Sequence, residues 1–389
     1  MATLEKRGPD SWRLTVELGF DTNGKRIRKR KTVSNMTKRE AEKALAKFVT
    51  EIEIGEYIAP QKMSFGYFVE EWKIKYASKE LAPKTLKNYS VHLKNHILPV
   101  LGHKQIDQIQ PMHILSLLED LGKTGARKDG RGQFLSSGTI QYIYRVIKNI
   151  FNQATQWKLL KTHPMAGIKK PKVVSSDIEY YSEAEAQEVI RALSQESIMW
   201  RVYCTAALIG GFRRGELVAL EWSDVNFEDA SIWINKSISL TENGQAILGE
   251  PKSKSSIGKV DMPKWFMDLL KLYQIEWEEN KRAVNDLWIG AGHSYLFHGG
   301  FGKPLYFTYP SEWWRRFTER HNLKRISLHG LRHTTATILL EKQTDMKTIQ
   351  ERLRHANFTT TANIYTHVTR KISREAANKF DSLNPSIII

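Results

Sequence analysis

Four short segments in the second half of this 389-residue chain carry side chains able to break and rejoin a phosphodiester. They are GFRRGEL (Gly211 to Leu217), PKSKSS (Pro251 to Ser256), HGLRH (His329 to His333) and LRHANFTTTANIYTHV (Leu353 to Val368). In chain order they supply Arg213, Lys252, His329, Arg332, His355 and Tyr365. A guanidinium is a planar fork of donors that suits the oxygens of a phosphate, so two arginines are the expected clamp. Glu216, three residues after Arg213, is placed to orient it, although R-x-x-E is also an ordinary surface ion pair on a helix. Arg214 is read as facing solvent or the backbone. Lys252 and Lys254 fall on or near an expected β-hairpin, where an ammonium can protonate a leaving 5′ oxygen and where exposed lysines are also common. Lys252 is favoured because it heads a K-[ST] pair. Tyrosine oxygen has an ordinary pKa of about 10, so as a nucleophile Tyr365 needs nearby cations and a proton acceptor.

His329, Arg332 and His333 share one helical face at i, i+3 and i+4. Two histidines four apart also suit zinc. Here the glutamate of H-E-x-x-H is missing, an arginine stands between the histidines, and the chain offers no thiol ligands beside them. A phosphate site fits better, with His329 moving protons and Arg332 holding oxygens. No metal and no cofactor are expected.

The elements that must carry these residues are mostly helical. Residues 10–33 alternate in β-forming runs, and Asn23-Gly24 between them is a hairpin signal. Thr37 with Glu40 forms a capping box for a helix reaching about Ile54. The second run, Lys25 to Lys31, has Lys25, Arg26, Arg28, Lys29, Arg30 and Lys31 as six basic residues in seven, which suits an edge or face laid on phosphates. Residues 55–63 read as a linker. Residues 64–175 show apolar positions at i, i+3, i+4 almost throughout, with Pro83, Pro99, Pro111 and Pro164 at helix ends. Tyr142, Tyr144, Phe151 and Trp157 read as core rather than as base-stacking platforms. Ser182 and Glu185 cap the first helix of a third region, in which strand-like pieces interrupt a helical body.

The chain has 59 Lys+Arg against 42 Asp+Glu, a net charge of +17, which implies a polyanionic partner. Residues 61–179 hold 19 basic against 9 acidic side chains, whereas 180–389 hold 27 against 24, so the middle region is the main electrostatic footprint. The one cysteine, Cys204, lies in an apolar run, cannot form an intrachain disulfide, and suits a reducing cytosol as a buried helix residue. The charged start MATLEKRGPDSW is unlike a secretory signal, and no apolar run approaches the ~20 residues of a membrane span.

The ordered set of arginine, lysine, H-x-x-R, histidine and tyrosine resembles the tyrosine recombinase (phage integrase) family, and the likeness extends over the whole chain. The N-terminal part looks like the arm-site-binding domain of integrases from phages and conjugative elements of Gram-positive bacteria. The resemblance implies a multidomain, mainly α fold. Residues 1–60 would be an arm-type DNA-binding domain made of a three-stranded sheet and a helix. Residues 61–175 would be a helical core-site-binding domain. Residues 176–389 would be a mainly helical catalytic domain with a small antiparallel sheet. It also implies a site-specific recombinase that cleaves and rejoins DNA through a 3′-phosphotyrosine on Tyr365, with Arg213, Lys252, His329, Arg332 and His355 around the phosphate. Expected partners are duplex DNA at core and arm sites, three further protomers in a tetramer, an excisionase and a host DNA-bending protein, in the cytoplasm of a bacterial host at its nucleoid. The apolar tail Ser386 to Ile389 would dock on a neighbouring subunit. A type IB topoisomerase-like nicking-closing enzyme and a catalytically silent DNA-binding regulator are the competing readings. One departure stands out: the family's L-G-H is Leu353-Arg354-His355 here, so a tight turn has lost its glycine.

Overall fold

The computed structural model describes residues 2–20, 26–53, 63–130, 132–174, 179–242, 245–249, 254–290, 292–358 and 377–381. Lys25, Lys252 and Tyr365, the Asn23-Gly24 turn, His367 and the tail Ser386 to Ile389 lie outside the described residues. The chain divides into two compact units, Met1–Ser175 and Ser176–Ile389.

The first unit opens with strands β1 (Ala2–Gly8), β2 (Ser11–Phe20) and β3 (Arg26–Ser34), paired antiparallel in that order, and helix α1 (Lys38–Glu53). The expected capping box starts α1: the Thr37 N–H donates to Glu40 Oε2 at 2.8 Å, and the Glu40 N–H returns to Thr37 Oγ1 at 3.4 Å. Leu14 and Val16 of β2 meet Phe48 of α1 in a small separate core. Directly opposed residues of paired strands share a face, and this sorts the basic strand into two sets. Lys29 and Lys31 stand opposite Val16 and Leu14, on the helix side, with Lys31 Nζ 5.8 Å from the Phe48 ring centroid. Arg28 and Arg30 stand opposite Glu17 and Thr15, on the other face, where Arg28 Nε donates to Glu17 Oε1 at 2.7 Å. The uniform run of charge in the sequence is therefore two surfaces.

The remaining described residues of this unit are mainly helical, as the periodicity requires. Helices α2 (Phe65–Trp72), α3 (Pro83–His92), α4 (Pro111–Asp120) and α5 (Ser137–Gln156) enclose a core that includes Phe65, Trp72, Ile97, Tyr144 and Phe151. Two π-helical turns, Lys73–Ala77 after α2 and Leu93–Ile97 after α3, interrupt the regular winding. Tyr144 and Phe151 are buried, and Tyr142 and Trp157 pack half-buried against the same core, so the aromatic residues serve the core.

The second unit begins with α6 (Glu183–Leu193), capped by the Ser182–Glu185 pair at 2.7 and 3.2 Å. The largely apolar α7 (Ile198–Ile209) runs through its main core, where Cys204 is buried and burial raises its thiol pKa. After α7 come α8 (Arg214–Ala219) and strands β4 (Val225–Asn226), β5 (Ser231–Ile234), β6 (Ser237–Glu242), β7 (Gln245–Gly249) and β8 (Gly258–Asp261). They form an antiparallel sheet ordered β4-β5-β8 and a β6-β7 hairpin. Gly215 lets α8 lie on β6: a Cβ there would stand 2.6 Å from the Ile238 carbonyl oxygen. The remaining helices are α9 (Lys264–Val284), α10 (Tyr309–Arg320), α11 (Gly330–Glu341) and α12 (Met346–Leu353). No helix among the described residues is long and apolar enough to cross a membrane.

Candidate active site

Three backbone stretches meet in the second unit, and each carries one part of the expected set. The loop between α7 and α8 brings Arg213, the start of α11 brings His329 and Arg332, and the end of α12 brings His355. Arg332 ties them together. It is 2% exposed, its Nη1 donates to the Gly211 carbonyl at 2.5 Å, and its Nη2 donates to the Leu353 carbonyl. Gly211 makes this approach possible, because its φ is +60° and a Cβ would stand 2.4 Å from Leu353 Cδ2. Thr335, one turn after Arg332 on α11, donates to the Leu208 carbonyl and reinforces the same junction. Arg352 Nη2 adds a bond to the Ile209 carbonyl at 3.0 Å.

Arg213 is half-buried beside a buried carboxylate. Its Nη1 donates to Glu216 Oε1 at 2.7 Å, its backbone N–H donates to Glu216 Oε2 at 2.9 Å, and its Nη2 donates to the Arg354 carbonyl at 3.2 Å. Glu216 is 2% exposed and so is no surface partner. Burial pushes its carboxyl pKa up, but the guanidinium of Arg354, then that of Arg213, outweigh burial and hold it below the usual range. Desolvation lowers the pKa of Arg332 to about 9, and the charge of Arg213 adds to the effect.

The histidines sit on this concentration of positive charge. The rings of His329 and His333 meet edge to face, with centroids 4.9 Å apart. His329 has an exposed edge, but protein crowding on its other side, then the charges of His333, Arg332 and Arg213, lower its pKa to about 4. Half-buried His355 is lowered to about 3 by desolvation and then by Arg332 and Arg213. Both rings are neutral at pH 7 and able to donate or accept a hydrogen bond.

The expected site residues thus divide in three. Arg213, His329, Arg332 and His355 converge, with Glu216 as the anchor of Arg213. Lys252 and Tyr365 lie outside the described residues. Lys254, the alternative lysine, begins a short 3₁₀ turn, Lys254–Ser256, that leads into β8. Arg214 departs from expectation. It is half-buried and engages side chains rather than the backbone: its Nη1 donates to Ser311 Oγ at 2.7 Å and its guanidinium lies 4.8 Å from the Phe307 ring centroid, because α8 packs that side toward the start of α10.

Two family models match the chain, the phage integrase family over residues 179–371 and the phage integrase N-terminal SAM-like domain over residues 64–121. The chain belongs to the phage integrase family, the tyrosine recombinases. It is a site-specific recombinase, an enzyme of DNA strand breakage and rejoining. A tyrosine recombinase XerC-like protein of Caldanaerobacter subterraneus subsp. tengcongensis is 28% identical, with 98% of each chain covered. The ICEBs1 integrase of Bacillus subtilis (strain 168) is 26% identical over 98% of this chain and 100% of its own length. Among solved structures, the Tn1549 transposon integrase in complex with a circular intermediate DNA superposes with a TM-score of 0.65 at 18% identity, covering 80% of this chain and 98% of the other. A lambda integrase dimer bound to a COC′ core site gives 0.56 at 17% identity, with 93% of each chain covered. These likenesses support a shared fold.

Sequence reasoning missed one residue of the candidate site. Arg354, where the family pattern carries glycine, is 4% exposed and gives Nη2 to Glu216 Oε2 at 2.6 Å. The signal was the missing glycine itself, in a turn that still has left-handed geometry (φ 53°, ψ 48°).

Proposed function

We propose that this recombinase integrates a mobile element, and also excises it, through a covalent link between Tyr365 and the 3′ phosphate of cleaved duplex DNA. The Tyr365 oxygen attacks the scissile phosphorus, its proton passing to a base with the help of His329. The bond to the 5′ oxygen breaks, and Lys252 gives that oxygen a proton, leaving a free 5′ hydroxyl. Attack of a 5′ hydroxyl from the partner strand on the phosphotyrosine reverses the step and frees the tyrosine, so the bond energy is conserved. Arg213 and Arg332 carry the largest effect, stabilising charge on the non-bridging oxygens. His355 adds a neutral hydrogen bond there. The observation that carries this reading is the convergence of Arg213, Arg332, His329 and His355 beside one buried carboxylate, Glu216, that is held by Arg213 and Arg354, which leaves the pocket positive and suited to an anion.

We assign residues 1–60 to arm-site binding, 61–175 to core-site binding and 176–389 to catalysis. Complete strand exchange would engage four protomers on two duplexes, with an excisionase and a host DNA-bending protein setting direction, in a bacterial cytoplasm. A nicked suicide duplex carrying the element's attachment core tests the chemistry. Wild type should give a covalent protein–DNA band on a denaturing gel, and Tyr365→Phe should bind the duplex and give none. Bands from both proteins would exclude Tyr365 as nucleophile, and tight binding with no band from wild type would favour the silent regulator.

A further inference from the structure

Arg354 is a residue of this pocket that the reaction scheme leaves without a role. Its left-handed backbone geometry is one that glycine adopts freely and a side-chain-bearing residue adopts at a cost. The side chain folds back into the protein and is 3% exposed. Nη2 meets Glu216 Oε2 at 2.6 Å, Nη1 donates to the Arg352 carbonyl at 3.1 Å, and the guanidinium lies 5.3 Å from the Phe212 ring centroid. Meanwhile the Arg354 carbonyl accepts from Arg213 Nη2 at 3.2 Å. Arg213, Glu216 and Arg354 therefore close a ring: Arg213 to Oε1, Arg354 to Oε2, and Arg213 back to the Arg354 carbonyl.

The ring addresses an electrostatic conflict. A carboxylate that orients a phosphate-clamping arginine also cancels its charge, and in a buried site with little solvent screening that cancellation is strong. A second guanidinium on the same carboxylate keeps the orientation and restores the charge. We propose that Arg354 is a positioning residue for strand cleavage: by taking Oε2 of Glu216 it leaves Arg213 fixed in place and still cationic toward the scissile phosphate. This rests on the reading that Arg213 clamps that phosphate.

The test uses the full-length protein and the nicked attachment duplex, with single-turnover covalent-complex formation and duplex Kd measured side by side. Arg354→Gly, which suits the backbone, should slow cleavage about tenfold or more while Kd stays within about threefold, since the charge acts on the transition state. Adding Glu216→Gln removes the carboxylate that now cancels Arg213, and should return the rate to within about threefold of wild type. Arg354→Lys, which keeps the charge but not the fork, should fall between. A purely structural role gives the opposite pattern: Arg354→Gly melts earlier but cleaves at the wild-type rate below its Tm, or the double variant is as slow as the single. Either result overturns the proposal. Should Arg354→Gly fail to fold, the double variant, which buries no unpaired carboxylate, and Arg354→Lys carry the same comparison: a double variant slower than Arg354→Lys overturns the proposal, and a faster one supports it. No covalent complex from wild type would sink the recombinase chemistry and this inference with it. Wild-type cleavage with an unimpaired Arg354→Gly sinks this inference alone.

Discussion

The chain concentrates arginine in two places and treats it in opposite ways. On β3, Arg28 and Arg30 are exposed on the sheet face opposite α1, where Arg28 forms a solvent-exposed ion pair with Glu17. In the candidate active site, Arg332 and Arg354 are 2% and 4% exposed and are fixed by carbonyl and carboxylate acceptors. An exposed arginine keeps its hydration until it meets a phosphate, so it adds affinity that salt can screen away. A buried one has been desolvated on folding, and its direction is set before the substrate arrives. Such preorganised charge is what a phosphoryl-transfer transition state rewards. On the function proposed above, the same residue type would serve binding in one region and rate in the other, and experiments that separate Kd from cleavage rate should divide them.

The largest effect should come from Arg332→Lys. Lysine keeps the charge but cannot donate to the Gly211 and Leu353 carbonyls in one plane, so the junction of α7, α11 and α12 loses its tie. Cleavage of the nicked duplex should fall by about 10²–10³ with little change in duplex Kd. A matching loss in Kd, with the rate on bound duplex unchanged, would place Arg332 with the binding arginines and break the contrast. A smaller effect is expected on the sheet. Arg30→Ala should reduce the salt slope of arm-site binding by about one and leave cleavage of a short core duplex untouched. Lys31→Ala should change that slope less, because Lys31 stands opposite Leu14 on the helix side and close to Phe48. Equal slopes for the two variants would show that the sheet face does not sort these residues.

How much of this was legible in the sequence depended on distance along the chain. The Thr37–Glu40 and Ser182–Glu185 caps are local and were read correctly. The helical middle region followed from its apolar period, but its π-helical turns at Lys73–Ala77 and Leu93–Ile97 did not, since one extra residue per turn barely disturbs that period. Arg213, Arg332 and His355 were singled out by residue type and order, and the fold brings them together. Burial of Glu216 was not, because its second partner, Arg354, lies 138 residues away. Arg214 was misjudged for the same reason, its acceptor Ser311 being 97 residues on. The two faces of β3 were available from strand alternation, yet the density of charge concealed them until pairing with β2 gave the register.

Acid sharpens the contrast from another side, with the smallest effect. His329 and His355 have folded-state pKa values lowered to about 4 and about 3, by desolvation first and by the pocket's cations second. A histidine in the unfolded chain titrates near 6.5. Between about pH 6.5 and pH 4 the unfolded chain therefore binds protons that the folded pocket refuses, so stability is full above that window and falls as pH drops through it. Residues 1–60 contain no histidine, so the β-sheet with α1 has no such group to respond. Hydrogen exchange on the full-length protein, converted to opening free energies, should show amides of α11 and α12 losing protection from pH 6.5 to pH 5, while those of β2 and α1 hold steady. Parallel losses in both regions would mean that acid acts through global charge rather than through the pocket. Gained protection in α11 at lower pH would mean that the folded site binds protons more tightly than the unfolded chain, so that its cations do not outweigh Glu216 at the histidines, against the positive pocket on which the affinity for phosphate depends.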